Sequence, residues 1–442
     1  MNFGFFGIQF SFGLQQSNMS EIYSYLGASE SELPMLWLAG PVTGLIVQPI
    51  IGAMSDGTWS PKFGRRKPYF LVGAILASIA LILMPYSQTI WMAASLLWIL
   101  DAGNNIAMEP YRAFVADKLD SEQLSLGFLM QSFFTGLGST LANFTPAILI
   151  MLGVFAFSDR MDNGIPVSTY WAFAIGAAAS ILTILYSVLT TKENPPTEAE
   201  LLQMQKEKAE GHVIKRIWSS IVLAIKDMPI TMKWLIPVKF FTWYAMFCYW
   251  QYLTLGISEA FYGTTDQGSD GFILSGLIAK NGNGTYNIIC FVLAFALVPI
   301  ARKIGAKGVH FISLLLGGIS LIAIPHLSIT DSIISIGSIS ISSIYLYTIG
   351  LGICWASILA MPYQMLASSI PKDKVGVYMG IFNMFIVIPM IIQIFTMQYF
   401  VYDLLGENPV NVIYLAGIFL IIGGVFTLFV KEKKDSEFQT AS

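Results

Sequence analysis

The chain has 442 residues, of which 55% are hydrophobic and only 12% charged, and its mean hydropathy is +0.66. That is about half the charge density of a soluble domain, which excludes a water-soluble globule. With 24 Lys and Arg against 27 Asp and Glu the net charge is -3, so overall charge points to neither a nucleic-acid partner nor an anionic surface.

Apolar segments recur at 3–26, 35–55, 69–86, 91–116, 124–155, 168–191, 233–262, 285–301, 309–327, 335–369, 375–402 and 410–430, each bounded by charges, Pro or Gly. A bilayer-spanning helix needs about 20 apolar residues, so the pattern predicts an all-α polytopic membrane protein with twelve transmembrane helices. The first segment is longer than a signal h-region and lacks a charged n-region, so it is expected to be kept as a span. Basic residues test the count independently, because cytoplasmic loops retain Lys and Arg. With the N-terminus inside, twenty of the 24 fall on the inner side. Arg160 and Lys280 fall outside, and Arg112 and Lys239 lie within spans. Both termini are therefore expected in the cytoplasm and the protein in a plasma membrane, that of a bacterial inner membrane.

The stretch 192–232 interrupts the pattern with Pro195-Pro196 and a run of mixed charges. It divides the chain into a six-helix half at 1–191, a cytoplasmic linker, a second six-helix half at 233–430 and a short tail at 431–442. Within the linker, Thr197 and Glu200 have capping-box spacing for a short helix ended by Gly211. From Ile214 to Met228 the apolar positions keep the spacing of a helix lying on the membrane surface. The halves share a faint repeat, Glu109-Pro110-Tyr111-Arg112 against Met361-Pro362-Tyr363-Gln364, each closing a long span that runs from outside to inside. Two parallel, pseudo-symmetric halves with substrate at the midplane is the layout of the major facilitator superfamily.

Span four carries Asp101, Asn104, Asn105, Glu109 and Arg112. Ionisable groups at membrane depth cost about 2.5 to 3.5 kcal/mol each on insertion scales, so they normally face a cavity. Asp101, Asn105, Glu109 and Arg112 follow steps of four, four and three, which places them on one helix face. Asp101 falls near mid-membrane and is the better proton-coupling candidate; Glu109 and Arg112 lie nearer the cytoplasm, where they can pair. Holding helices together is the competing role for all three. Span one carries Gln9, Gln15, Gln16 and Asn18, with Gln9 and Gln16 two turns apart on one face. Amides donate and accept, which suits sugar hydroxyls.

In span seven Trp243 and Trp250, and likewise Tyr244 and Gln251, stand two turns apart. Rings that stack on sugar C–H faces beside polar groups fit a carbohydrate, although aromatic stripes more often serve packing or interface belts. Lys239 lies near enough to a helix end to snorkel to the interface. Cys248, Cys290 and Cys354 sit in apolar runs without metal-ligand spacing and are expected as buried thiols. No metal, cofactor or catalytic constellation is expected: there is no Gly-x-x-x-x-Gly-Lys loop, and His212, His310 and His326 neighbour no catalytic group. The chain is therefore read as no enzyme.

Between spans two and three runs Gly52-x-x-Ser55-Asp56 followed by Gly64-Arg65-Arg66-Lys67. Positive-inside anchoring explains the basic cluster but neither Asp56 nor Gly64, so Asp56, Gly64, Arg65 and Arg66 are expected to form a cytoplasmic gate. This segment resembles the loop two to three signature of the major facilitator superfamily. Gln9-Phe10-x-Phe12-Gly13-x-Gln15, Trp37-Leu38-Ala39-Gly40-Pro41-x-x-Gly44-Leu45-x-Val47-Gln48-Pro49, and Leu100-Asp101-x-x-Asn104-Asn105 with Arg112-Ala113 ahead of Asp117 resemble the sucrose transporters, within the glycoside-pentoside-hexuronide:cation symporter group. The resemblance is dense over 1–135 and faint afterwards. It implies an α-glucoside substrate and assigns the protonation role, by position, to Asp101. Glu109-Pro110-Tyr111 departs from the uncharged segment of plant members.

These readings converge on a proton-coupled importer of an α-glucoside such as maltose or sucrose, acting as a monomer by alternating access, with sugar contacts from Gln9, Gln16, Asn104, Asn105, Trp243, Tyr244, Trp250 and Gln251. Sodium coupling is the nearest alternative, because an acidic site does not itself choose the ion. Export of apolar cations, with the aromatics and acids as a cation-attracting cavity, is a second, and a non-transporting sugar sensor a third.

Overall fold

The computed structural model describes residues 2–56, 58–118, 121–193, 195–198, 201–202, 225–336, 339–367, 369 and 375–431. Its long helices are α1 (Phe3–Tyr25), α2 (Ala39–Asp56), α3 (Lys67–Leu83), α4 (Ile90–Lys118), α5 (Ser121–Met151), α6 (Val167–Thr190), α7 (Ile230–Tyr262), α8 (Asp270–Ala323), α9 (Tyr347–Ala367), α10 (Val375–Thr396) and α11 (Pro409–Thr427). Most of the expected surface helix at 214–228 lies outside the described residues, as does the end of the short helix expected before Gly211.

Among the described residues eight helical stretches are long and apolar enough to cross a membrane by length and composition. Outside this set stand α1, α4, α7 and the first limb of α8. These carry the Gln, Asn, Asp and Lys residues singled out above, which lower their hydropathy. The helices least suited to lipid are thus the ones that bear the candidate site.

The chain forms two compact units, one comprising 1–213 and 265–284, the other 214–264 and 285–442. In the first, α1 packs on α5 and α6, α2 on α4, and α3 on α4 and α6. Its core includes Phe5, Ile8, Phe70, Tyr111, Phe114 and Ile184. In the second, α7 is the central helix, packed on α10 and α11.

Two spans differ from expectation. The eighth was expected from 285, but α8 begins at Asp270, whose carboxylate favours a helix N-terminus. Lys280, Asn281 and Asn283 had lowered the hydropathy of that first limb. Lys280 therefore lies in a helix and is buried, not in an outer loop. At Gly305 (φ 81°, ψ 154°) α8 breaks into a second limb. The tenth span was expected from 335, yet Ser332–Ile336 and Ile339–Ser342 form an antiparallel hairpin. Isoleucine and serine alternate in the second strand, the period-two pattern of a strand, while the adjacent Ile333 and Ile334 in the first coincide with a register shift. One 3-10 turn at Ser343–Leu346 then leads into α9.

Candidate functional site

In the first unit the polar residues of α1, α2 and α4 meet in the interior. Asp101 is 1% exposed. Its Oδ1 accepts from Gln15 Nε2 at 2.7 Å, and its Oδ2 is buried without a hydrogen-bond partner. One turn along, Asn104 Oδ1 accepts from Ser11 Oγ at 2.9 Å while its Nδ2 is unpartnered. Asn105 turns to α2, donating to Thr43 Oγ1 at 3.1 Å and accepting from Gln48 Nε2 at 2.7 Å. Gln15 Oε1 is a further buried acceptor without a partner. Three unsatisfied polar atoms, Gln15 Oε1, Asp101 Oδ2 and Asn104 Nδ2, therefore lie on two successive hydrogen-bonded pairs between α1 and α4, Gln15 with Asp101 and Ser11 with Asn104. Buried polar groups are nearly always satisfied, so these pairs have capacity left for a proton and a hydroxylated ligand.

Gln9 and Gln16 are both half-buried, as their two-turn spacing requires of one face. Gln9 Nε2 makes only a long contact to Met108 Sδ at 3.8 Å. The expected face of α4 divides along its length: Asp101 and Asn105 are buried, Glu109 is half-buried and Arg112 is exposed. Contrary to expectation, Glu109 and Arg112 form no ion pair among the described residues. Charged Arg112 turns outward from a helix whose inner side is filled at that level by Tyr111, whose hydroxyl takes the Gly4 N–H (3.0 Å) and donates to Ser187 Oγ (2.9 Å).

Gly64, at φ +79°, sits in a left-handed turn where a side chain is disfavoured, and closes a two-residue bridge to Ser60. That turn aims three successive backbone N–H groups at one carboxylate. Arg65, Arg66 and Lys67 donate to Glu193 oxygens at 2.6, 3.1 and 2.9 Å. Glu193 thereby caps α3 from outside its own helix, the favoured position for negative charge. The Arg66 guanidinium donates through Nε to Asp117 Oδ2 at 2.8 Å and through Nη1 to Ser55 Oγ at 2.6 Å. The side chain of Asp56 lies outside the described residues; among the described acids, Asp117 and Glu193 meet this basic cluster. Sequence spacing could not find Glu193, which lies 126 to 128 residues away from its donors.

In the second unit Trp243, Trp250 and Trp355 pack edge to face, with centroids 5.4 to 6.3 Å apart. Trp250 Nε1 donates to Tyr286 OH at 3.2 Å, whereas Trp243 Nε1 is buried and unpartnered. Tyr244 OH bonds Thr396 Oγ1 at 2.7 Å, and Gln251 Oε1 accepts from Gln393 Nε2 at 2.9 Å, so that face of α7 is engaged with α10. Lys239 does not snorkel. It is 1% exposed, with Nζ 4.8 to 5.6 Å from the ring centroids of Phe382, Tyr363 and Trp243 and no hydrogen bond. The three cysteines are free and buried, as their runs implied. Ser11, Thr43, Gln48, Trp355 and Gln393 are additional partners; Gln48, like Gln15, lies inside the resemblance segments of the first half.

The chain is 26% identical to a sucrose transport protein of Arabidopsis thaliana, across 87% of this chain and 80% of that one. It is 24% identical to a sucrose transport protein of Oryza sativa subsp. japonica, across 97% and 86%. Among solved structures, a peptide transporter in complex with sulfate superposes with a TM-score of 0.65 at 16% identity, covering 97% of this chain and 93% of that one. The xylose transporter of E. coli in an inward-open conformation gives 0.63 at 15% identity, covering 98% and 96%. At such identity these two likenesses speak for the fold alone. The family model that describes the Major Facilitator Superfamily matches residues 1–394. Eight helical stretches apolar enough to cross a membrane among the described residues and a match over most of the length agree: the chain is a multi-pass transporter, not an enzyme, and belongs to the Major Facilitator Superfamily.

Proposed function

We propose that the protein imports an α-glucoside disaccharide of the maltose or sucrose type together with a proton, by alternating access of two six-helix halves. The observation that carries the reading is Asp101: a fully buried acid in α4, held by a neutral amide on one oxygen and by nothing on the other. A proton on Oδ2 removes the charge without disturbing the bond from Gln15. The amides of Gln9, Gln16, Asn104 and Asn105 are proposed to take sugar hydroxyls, with Trp243, Tyr244, Trp250 and Gln251 lining the site from α7. The sucrose transport proteins among its relatives support the substrate class. The basic loop at Arg65 and Arg66, with Asp56, is proposed to gate the cytoplasmic side, both termini being cytoplasmic and the protein a monomer in a bacterial inner membrane.

The test is uptake of radiolabelled disaccharides into proteoliposomes, with pH and sodium gradients imposed separately. Accumulation of maltose or sucrose under an acid-outside gradient alone is expected. Accumulation only under sodium assigns the coupling to that ion. Efflux of apolar cations without sugar uptake replaces the importer with an exporter.

A further inference from the structure

The first limb of α8 belongs by its contacts to the first compact unit up to Gly284, and its continuation belongs to the second. One helix thus has two allegiances, and specific contacts hold its first limb where it is. Lys280 Nζ meets Glu21 Oε2 of α1 at 2.7 Å, with the side chains 4% and 5% exposed. Gly276 lies against the same carboxylate, where a Cβ would fall 2.7 Å from Glu21 Oε1. The Tyr25 and Phe272 rings meet edge to face at 5.8 Å, and Gly284 abuts the Phe144 ring. A narrow cavity beside the ion pair is lined by Glu21, Ile273, Leu277, Lys280, Ser168 and Thr169 among others.

The position matters as much as the contact. The start of α1 is tied to Tyr111 and Ser187, on the side of the Arg65 to Lys67 loop. Glu21 is 17 residues further on, about 26 Å along the helix axis. The ion pair therefore closes the end of the unit opposite to the basic loop, the end that the placement of Lys and Arg makes the outer one. Removing one partner of a buried ion pair is strongly unfavourable, because it leaves a buried charge without its counter-charge.

We propose that Glu21 and Lys280 are gating residues of the transport cycle: their ion pair clasps the first limb of α8 onto α1 while the outer side is closed, and it separates, admitting water, when that side opens for substrate. The inference rests on the transporter reading but not on the identity of the solute.

A Ser168→Cys reporter in the adjoining cavity tests it without any solute, by the rate at which a membrane-impermeant maleimide added outside labels it. The native cysteines are buried. Glu21→Gln and Lys280→Gln should each favour the open state and raise that rate by about 5-fold or more, a modest population shift. The exchange of charges, Glu21→Lys with Lys280→Glu, should bring it back towards the wild-type rate. Wild-type rates in both single variants, or an exchange as fast as the singles, overturn the proposal. Should the single variants fold poorly, Glu21→Cys with Lys280→Cys removes both charges together, which is better tolerated than removing one. Bridging these two cysteines with a short bis-methanethiosulfonate should suppress reporter labelling and reductant should restore it; labelling that persists through complete bridging overturns the clasp. Sugar uptake failing in the proteoliposomes while these labelling results hold would revise the substrate and leave the gate.

Discussion

Gln15 Nε2 donates to Asp101 Oδ1 across 2.7 Å, so the acid buried in α4 is met by a neutral amide and by no cation among the described residues. The two residues come from different helices and are 86 positions apart. Asparagine at 101 preserves an acceptor for Gln15 and puts a donor where a protonated Oδ2 would carry one. Asp101→Asn is therefore expected to bind sugar and exchange it across the membrane at equal concentrations while losing accumulation driven by a pH gradient. Each coupled proton would otherwise contribute about 2.3 kcal/mol at 100 mV. Reconstituted protein reads both properties in one preparation. Concentrative uptake surviving the substitution moves the coupling elsewhere, with Glu109 next in line; loss of exchange as well makes Asp101 a sugar ligand or a structural acid.

Gln9 is half-buried and holds only a long contact to Met108 Sδ, so its amide has little to do within the protein itself. Losing a hydrogen bond to a buried polar group costs about 1 to 3 kcal/mol. Gln9→Ala should raise the apparent dissociation constant for sugar by about 5-fold or more, with the melting temperature in detergent unchanged. Equal affinity would place Gln9 in packing alone.

Glu193 satisfies three N–H groups at the start of α3 from a segment beyond α6. Losing a cap costs about 0.5 to 2 kcal/mol, so Glu193→Ala should lower the melting temperature, and it should do so more than Lys192→Ala, whose side chain is exposed. Thermal unfolding of the two variants side by side decides the matter; equal melting removes Glu193 as the cap.

The proposed cytoplasmic gate is tested by kinetics. Asp56→Asn is expected to slow turnover while leaving substrate protection of outward-facing cysteine probes in place. Unchanged turnover returns the loop to plain positive-inside anchoring.

Lys239 offers a test of buried charge. Its ammonium lies among three rings without a hydrogen bond. A cation over aromatic faces gains about 0.5 to 2 kcal/mol, against a desolvation cost of several kcal/mol for a buried ion. Lys239→Met, close in volume and apolar, should melt at or above the wild type. A clear drop in melting temperature would show that the ring contacts outweigh the lost hydration.

The bilayer acts as a solvent on every turn of a spanning helix, so hydropathy and the placement of Lys and Arg already determine that this chain is a polytopic membrane protein. The same one-dimensional signals locate α1, α4 and α7 as the helices whose polar residues are out of place in lipid, and helical spacing correctly puts Gln9 with Gln16. Partner choice is another matter. That Asp101 answers to Gln15, Arg66 to Asp117, Lys67 N–H to Glu193 and Lys280 to Glu21 depends on helices packing across 51 to 259 residues of sequence. Periodicity tells which side of a helix a residue occupies but not which helix it faces. Lys280 is the sharpest case: its charge reads as an outer loop, because a lysine in an apolar helix is costly until a carboxylate from elsewhere in the chain is brought within hydrogen-bond reach, and only the tertiary structure supplies Glu21.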